Sequence, residues 1–257
     1  MKNYQKILNF NGFVLLPKIF ESSSIERAKN GLWEVIKGRY ETGIEPENRF
    51  WNPGDNSKDI IKIDKPHLSN KALLDLITTK SFGQYIAKIT NSIKIQIWHT
   101  QAVWKPAGGG ENGNAGWHRD AQYWPYWDSC GLYTAWIALS DVTIKSGPVK
   151  FIEKSNRWKS LRGLDFFDKE VKKQELIISK THKKFNVSDA ILKKGQVSIH
   201  DALTYHSSGP NESKRPRVGM VVHFRNQNSR LKKPSAGEVE YLKQLKDYQR
   251  CPIIYEA

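Results

Sequence analysis

The hydropathy pattern changes period at Ile93, and that change limits the fold more than any other feature of the chain. Ile93, Ile95 and Ile97 alternate with Lys94, Gln96 and Trp98, the period-two signature of a strand running on to about Trp104. Further strand-like runs occupy 132–139, 149–152, 197–200 and 217–225. The last has apolar residues on both faces, as expected of a strand facing a barrel interior on one side and a helix on the other. Before Ile93 the pattern is mostly helical. A short strand is predicted at 12–16. Ser22-Ser23-Ser24 then offers N-caps ahead of Ile25, Ala28, Leu32, Val35 and Ile36, which predicts a helix over about 23–38. Ser69 caps a segment carrying Leu73, Leu74 and Ile77, and another helix is predicted over 81–90. Helices first and strands afterwards, with no strand–helix alternation, predict a mainly β fold with flanking helices. The 257 residues read as one domain. Residues 1–92 form a mostly helical buttress, 93–226 the β core, and 227–257 a tail with a short helix near 238–248. Residues 41–67 read as loop. Within the core, 153–194 is charged and irregular, an insertion that serves as lid or side wall, with a helix near 166–175.

Composition excludes several classes. No apolar run approaches the roughly 18 residues that span a bilayer. Residues 1–6 lack a secretory signal's apolar core, and Cys130 and Cys251 are far apart without CxxC spacing. Both observations predict a cytoplasmic protein without a disulfide framework or a zinc site. The net charge is +15, but the lysines are scattered in pairs such as Lys172-Lys173, Lys193-Lys194 and Lys232-Lys233. A solvated basic surface is the expected reading, rather than the dense block of a nucleic-acid arm. An anionic small substrate is a further use for the charge.

The chemistry centres on Gly116-Trp117-His118-Arg119-Asp120. Side chains alternate along an extended strand, so His118 and Asp120 fall on one side of it. His206 follows in a turn of small residues, and Arg217 heads the last strong strand. Two histidines and one carboxylate on one face of an iron leave the opposite face open to a co-substrate and oxygen. An HxD triplet alone is weak, since 7 histidines and 26 carboxylates make such triplets common. Arg217 strengthens it: a guanidinium projecting into the same interior needs an anion, and a dicarboxylate supplies one. The rings of Trp117, Tyr123, Trp124, Tyr126, Trp127 and Trp136 gather around the triplet, as a ligand pocket requires, although core packing accounts for most of them.

Four stretches together resemble the phytanoyl-CoA dioxygenase-like family of Fe(II)/2-oxoglutarate oxygenases. These are Gly116-Trp117-His118-Arg119-Asp120-Ala121-Gln122-Tyr123-Trp124, then Thr134-Ala135-Trp136-Ile137-Ala138-Leu139, then Ser146-Gly147-Pro148-Val149-Lys150-Phe151-Ile152, and lastly His206-Ser207-Ser208-Gly209-Pro210-Asn211 with Arg215-Pro216-Arg217. Asn11-Gly12-Phe13-Val14 is similar to that family's start, so the likeness runs along nearly the whole chain. It implies a double-stranded β-helix, a jelly-roll or cupin-like core. It also implies that His118, Asp120 and His206 ligate Fe(II), and that Arg217 pairs with the distal carboxylate of 2-oxoglutarate. Ser208 would add a hydroxyl, Trp136 would pack along the co-substrate, and Gln101 is a further candidate contact. His200 is the rival third ligand; the Ser-Ser-Gly-Pro-Asn context and the spacing to Arg217 favour His206. Arg119 stands where the family commonly has glutamine, Lys154-Ser155-Asn156 where many members have Gly-Ser-His, and Gln196 where aspartate is usual. None of these removes a metal or co-substrate residue. Asp120 argues against a halogenase, which needs that carboxylate replaced by a small side chain.

The activity so implied is a dioxygenase using Fe(II), 2-oxoglutarate and O2, with release of succinate and CO2 and hydroxylation of an unactivated C–H. The substrate would be a small metabolite or natural-product intermediate, and the basic surface favours an anionic one. Phe50, Trp51, Tyr123, Trp124 and Trp127, with Arg119 and Arg157, are the candidate substrate contacts. Two alternatives stand beside it: an oxygenase on nucleic acid or a carrier-bound acyl group, and a non-catalytic β-barrel binding module. The first predicts salt-sensitive DNA or RNA binding. The second has no need of His118, Asp120, His206 and Arg217 together.

Overall fold

A computed structural model describes residues 3–232 and 236–257. Residues 1–2 and 233–235, among them Met1, Lys2 and Lys233, lie outside the described residues. Before the core come α1 (Tyr4–Asn11), α2 (Ser22–Ile36), α3 (Lys71–Ile77) and α4 (Lys80–Thr90), with α5 (Val171–Thr181) and α6 (Ala236–Lys243) later. The strands are β1 (Phe13–Leu16), β2 (Asn48–Arg49), β3 (Ile61–Asp64), β4 (Lys94–Lys105), β5 (Ala115–His118), β6 (Leu132–Ala138), β7 (Val149–Ile152), β8 (Val187–Asp189), β9 (Val197–Asp201), β10 (His206–Ser208), β11 (Arg217–Asn226) and β12 (Ile253–Glu256).

These strands form two antiparallel sheets. The larger runs β1-β9-β6-β11-β4-β3-β2, with β12 also on β4, and the smaller runs β5-β10-β7-β8. The two sheets make the double-stranded β-helix, with its cavity between them. The outer face of the large sheet, including Ile63, Ala102, Ile137 and Met220, packs on Leu32, Val35, Leu73, Phe82 and Ile86 of the helices. Each large apolar side chain buried there contributes roughly 1.5–3 kcal/mol, which is why the helices lie flat against this sheet.

The inner face is the functional one, and antiparallel register sets it out in rows. His200, Thr134, His223 and His99 occupy one row across β9, β6, β11 and β4. Ser198, Trp136, Val221 and Gln101 form the next, and Gln101 faces Asp64 on β3. At the far end Arg217 stands opposite Lys105. The register slips between His223 and Phe224, so β4 carries an extra residue at Trp98. This bulge brings neighbouring Trp98 and His99 both against the His223 ring, Trp98 tilted at 5.8 Å and His99 stacked at 5.6 Å between centroids.

Several boundaries differ from the sequence expectation. The helix α1 precedes β1, closed by Gly12 at φ 84°. The loop predicted over 41–67 contains β2 and β3, and β3 extends the large sheet. The helix of the insertion begins at Val171 rather than 166, and β8 follows it. The tail adds β12 to the edge beside β4. Short strands that pair only over long sequence distances carry little local signal. Among the described residues, no helix is long and apolar enough to cross a membrane.

Candidate metal centre

Strand β5 ends at His118, and Asp120 begins a short helical turn, so the pair does not share one strand as the triplet suggested. The alternation survives because Arg119 keeps an extended backbone, φ −109° and ψ 139°. His206 lies not in a turn but on β10, directly across from His118 on one side and Phe151 on the other. Sheet pairing thus closes a sequence gap of 88 residues (206 − 118) to a ring separation of 4.1 Å.

His118, Asp120 and His206 each offer one atom, all within 4.8 Å of one another, and all three residues are buried. Nε2 of His118 lies 3.8 Å and Nε2 of His206 3.6 Å from Oδ1 of Asp120. One ion at about 2 Å from each atom spans such gaps. The outer nitrogens are already engaged: Nδ1 of His118 meets the Gly116 carbonyl at 2.7 Å and Nδ1 of His206 the Thr204 carbonyl at 3.0 Å. Those bonds place the ring proton on Nδ1 and leave each Nε2 lone pair free. Burial also pushes both imidazoles below their ordinary pKa, so they stay neutral, the form that binds metal.

Asp120 turns its other oxygen outward. Oδ2 accepts from the Thr134 hydroxyl at 2.5 Å and lies 3.0 Å from Nε2 of His200. Burial opposes the charge, but the hydrogen bond with His200 favours it, and the carboxyl lies well below its usual range. His200 therefore backs the carboxylate. Thr134 also meets Nδ1 of His223 at 2.8 Å. Because such outer partners orient a ligand, Thr134→Val should lower Fe(II) affinity roughly 10–100-fold with the fold intact. Isothermal titration under argon reads that loss directly. The donor set fits a divalent metal held by two imidazoles and one carboxylate.

The same cavity runs on to the far end of the inner face. Trp136, Ser207, Ser208, Val221 and Arg217 line it there, and about 90 Å³ of it is open. Arg217 is wholly buried, donates to the Gly147 carbonyl at 2.5 Å, and leaves Nε without a partner. Its carbon stands 5.2 Å from the Trp136 ring, and burial lowers its pKa to about 10. A buried guanidinium with an open donor suits a carboxylate ligand. Trp136 reaches this place because Gly219 lies beside it with no side chain; a Cβ at that position would enter the indole. Gly219→Ala should thus displace Trp136, cost about 1–3 kcal/mol of stability and weaken keto-acid binding. Thermal unfolding with and without 2-oxoglutarate measures both effects.

A second chamber of about 160 Å³ opens over His118 and Asp120, lined also by Lys62, Gln101, Tyr123, Trp124, Phe166, Phe167 and His223. Lys62 and Phe166, missed in the sequence, line both spaces. Lys62 comes from β3, and its ammonium sits over the Phe50, Phe166 and Phe167 rings at 4.5, 5.1 and 5.9 Å. The insertion supplies Phe166 and Phe167, which makes it a wall of the pocket. It is tied down by the Tyr123 hydroxyl on Asp165 at 2.6 Å, and by Gln174, which bonds the Trp117 amide and the Asp165 carbonyl. Gly116 allows that close pass: a Cβ there would overlap the Asp165 and Asp168 carbonyls.

The remaining predicted contacts divide. Tyr123 and Trp124 line the chamber, and Phe50 stands at its edge under Lys62. Trp127 is buried behind it against Trp98 and Arg225. Trp51 bonds the Asn56 carbonyl. Arg119 points away, donating to the Ser155 and Trp158 carbonyls beneath Tyr205, and Arg157 donates to Asn9 on the surface. Neither arginine lines either chamber. Gln101 lines both and donates to Asp64 at 3.0 Å.

The model of the phytanoyl-CoA dioxygenase (PhyH) family matches residues 8–219. The chain belongs to the phytanoyl-CoA dioxygenase family. Solved structures with the same fold include EctD from S. alaskensis in its apoform, with TM-score 0.71 and 18% identity over 91% of this chain and 80% of that one. The epimerase SnoN, in complex with Fe3+, alpha ketoglutarate and nogalamycin RO, gives TM-score 0.67 and 15% identity over 93% of this chain and 88% of that one. The carbocyclase SnoK from nogalamycin biosynthesis gives 0.67 and 14%, over 93% and 90%. A comparison with the curated proteins found no match. This PhyH chain is thus an enzyme of the Fe(II)/2-oxoglutarate oxygenase type, and Fe(II) and 2-oxoglutarate are its cofactors.

Proposed function

We propose that this PhyH oxygenase hydroxylates an unactivated C–H of a small anionic metabolite or natural-product intermediate. The observation that carries the reading is one buried cavity with a two-histidine, one-carboxylate cluster at one end and an unanswered guanidinium at the other. His118, Asp120 and His206 would hold the iron, and Arg217 with Ser208 the distal carboxylate of 2-oxoglutarate, while Trp136 flanks its carbon chain. When bound there, Fe(II) with 2-oxoglutarate and O2 supplies the oxidising power and yields succinate and CO2. The chain's own part is positioning and exclusion of water. The His223–Thr134–Asp120–His200 contacts fix the carboxylate ligand, and Trp136, Val221 and Phe166 keep the cavity apolar.

The substrate would enter the chamber bounded by Tyr123, Trp124, Phe166 and Phe167. Its 160 Å³ falls below the roughly 300–1,000 Å³ typical of drug-sized ligands, which supports a small molecule over a nucleic acid or an extended acyl chain. Lys62 is the cation in that chamber and supports an anionic substrate. Two measurements test this reading. Anaerobic addition of Fe(II) and 2-oxoglutarate should give a visible charge-transfer band. Succinate release across a metabolite panel should then rise with small anions; hits confined to large neutral molecules would overturn the substrate class. Because an epimerase and a carbocyclase share the fold, mass analysis of the product must show the added oxygen.

A further inference from the structure

Behind the wall at the far end of the cavity lies a second buried cation. Lys105 closes β4 opposite Arg217 and is wholly buried. Its Nζ donates to Ser208 Oγ at 2.8 Å and to the Gly209 carbonyl at 2.5 Å, both neutral acceptors. Among the described residues, the hydrogen-bond acceptor for Arg217 is the Gly147 carbonyl, another neutral group. No carboxylate among the described residues pairs with either side chain, and burial first, then the Arg217 charge, drives the Lys105 pKa well down. Two neighbouring cations taken out of water without a counter-ion are unfavourable unless an anion arrives. The far end of the cavity is therefore built for more negative charge than the chain supplies.

The hydrogen-bond directions say how Lys105 contributes. A hydroxyl has one proton to give and lone pairs to receive. Ser208 Oγ, which lines the cavity, already accepts from Lys105, so its own proton is left to donate into the cavity. We propose that Lys105 is a positioning residue for the keto-acid co-substrate: it aims the Ser208 hydroxyl at the distal carboxylate and adds a second positive charge behind Arg217. This rests on the reading that 2-oxoglutarate occupies the cavity with its distal carboxylate at Arg217. Its consequence is selectivity for a diacid. Lys105 matters only for a ligand with a carboxylate at that end.

The test compares two ligands on metal-loaded protein under argon. Binding of 2-oxoglutarate and of 2-oxopentanoate, which lacks the distal carboxylate, is measured by titration calorimetry for the unmodified chain and for Lys105→Met. Methionine keeps the length and apolar stem of lysine. The expected result is a loss of about 30-fold or more in 2-oxoglutarate affinity, with 2-oxopentanoate and Fe(II) affinities unchanged and the ligand-free melting temperature equal or higher. Equal 2-oxoglutarate affinity in both proteins would overturn the role of Lys105 and leave the oxygenase reading standing. Equal losses for both keto acids would make Lys105 a packing residue and also overturn it. Failure of the unmodified chain to bind 2-oxoglutarate would instead sink the reading beneath it. Should Lys105→Met not fold, Lys105→Gln, which keeps a donor for Ser208 but no charge, is expected to lose less affinity for 2-oxoglutarate, again with 2-oxopentanoate unaffected.

Discussion

Asp120→Ala is expected to abolish Fe(II) binding and succinate formation while the chain stays folded. Asp120 is the sole carboxylate in the cluster, and its Oδ1 faces the free Nε2 atoms of both ligand histidines. Without it two neutral imidazoles remain, with no anion to balance a divalent cation. Partners one bond removed from a metal typically cost 10–100-fold in affinity, roughly, and loss of the ligand itself should exceed that. The other side of the carboxylate gives the control. Oδ2 serves Thr134 and His200, so Thr134→Val weakens the site without removing it. The measurements are Fe(II) titration and the absorption that develops with 2-oxoglutarate. If Asp120→Ala developed the same band at the same Fe(II) concentration, the metal centre would have to lie elsewhere.

Arg217→Met is expected to separate the co-substrate from the metal. Truncating one partner of a buried charged pair costs about 2–5 kcal/mol, which is roughly 30-fold to several thousand-fold in 2-oxoglutarate affinity. Fe(II) affinity should change little, because Arg217 sits at the other end of the cavity from the ligands and shares none of their hydrogen bonds. Ligand-free stability should hold or rise, since an uncompensated buried charge is removed. The readouts are the KM for 2-oxoglutarate and thermal unfolding. An unchanged KM alongside intact turnover would show that the carboxylate lies away from Arg217.

Much of this site was legible because its key residues cluster in short motifs. His118 and Asp120 are two apart with an extended residue between them, so local backbone geometry alone puts them on one side, even though the strand ends between them. Arg217 sits at the head of a run whose alternation is plain. His206 was found by its surroundings, but its strand was not, because three residues of β10 carry no period of their own. Lys62 and Lys105 show the limit more sharply. In a chain with 41 lysines and arginines, nothing local separates a lysine aimed inward from one in solvent. Lys62 lay in a stretch read as loop, and Lys105 ends a strand whose inward face depends on a bulge at Trp98. Arg119 and Arg157 err the other way: charge and proximity to motifs suggested substrate contacts, while packing turned both toward backbone carbonyls.

By itself the sequence determined a mainly β fold with N-terminal helices, through its hydropathy period, while motif context and family likeness marked His118, Asp120, His206 and Arg217 as the candidates for metal and co-substrate. Only the tertiary structure decided which residues share the cavity wall with them. Pairing between strands far apart in the chain sets those neighbours, and a shift of one residue in register would turn the opposite set of side chains inward.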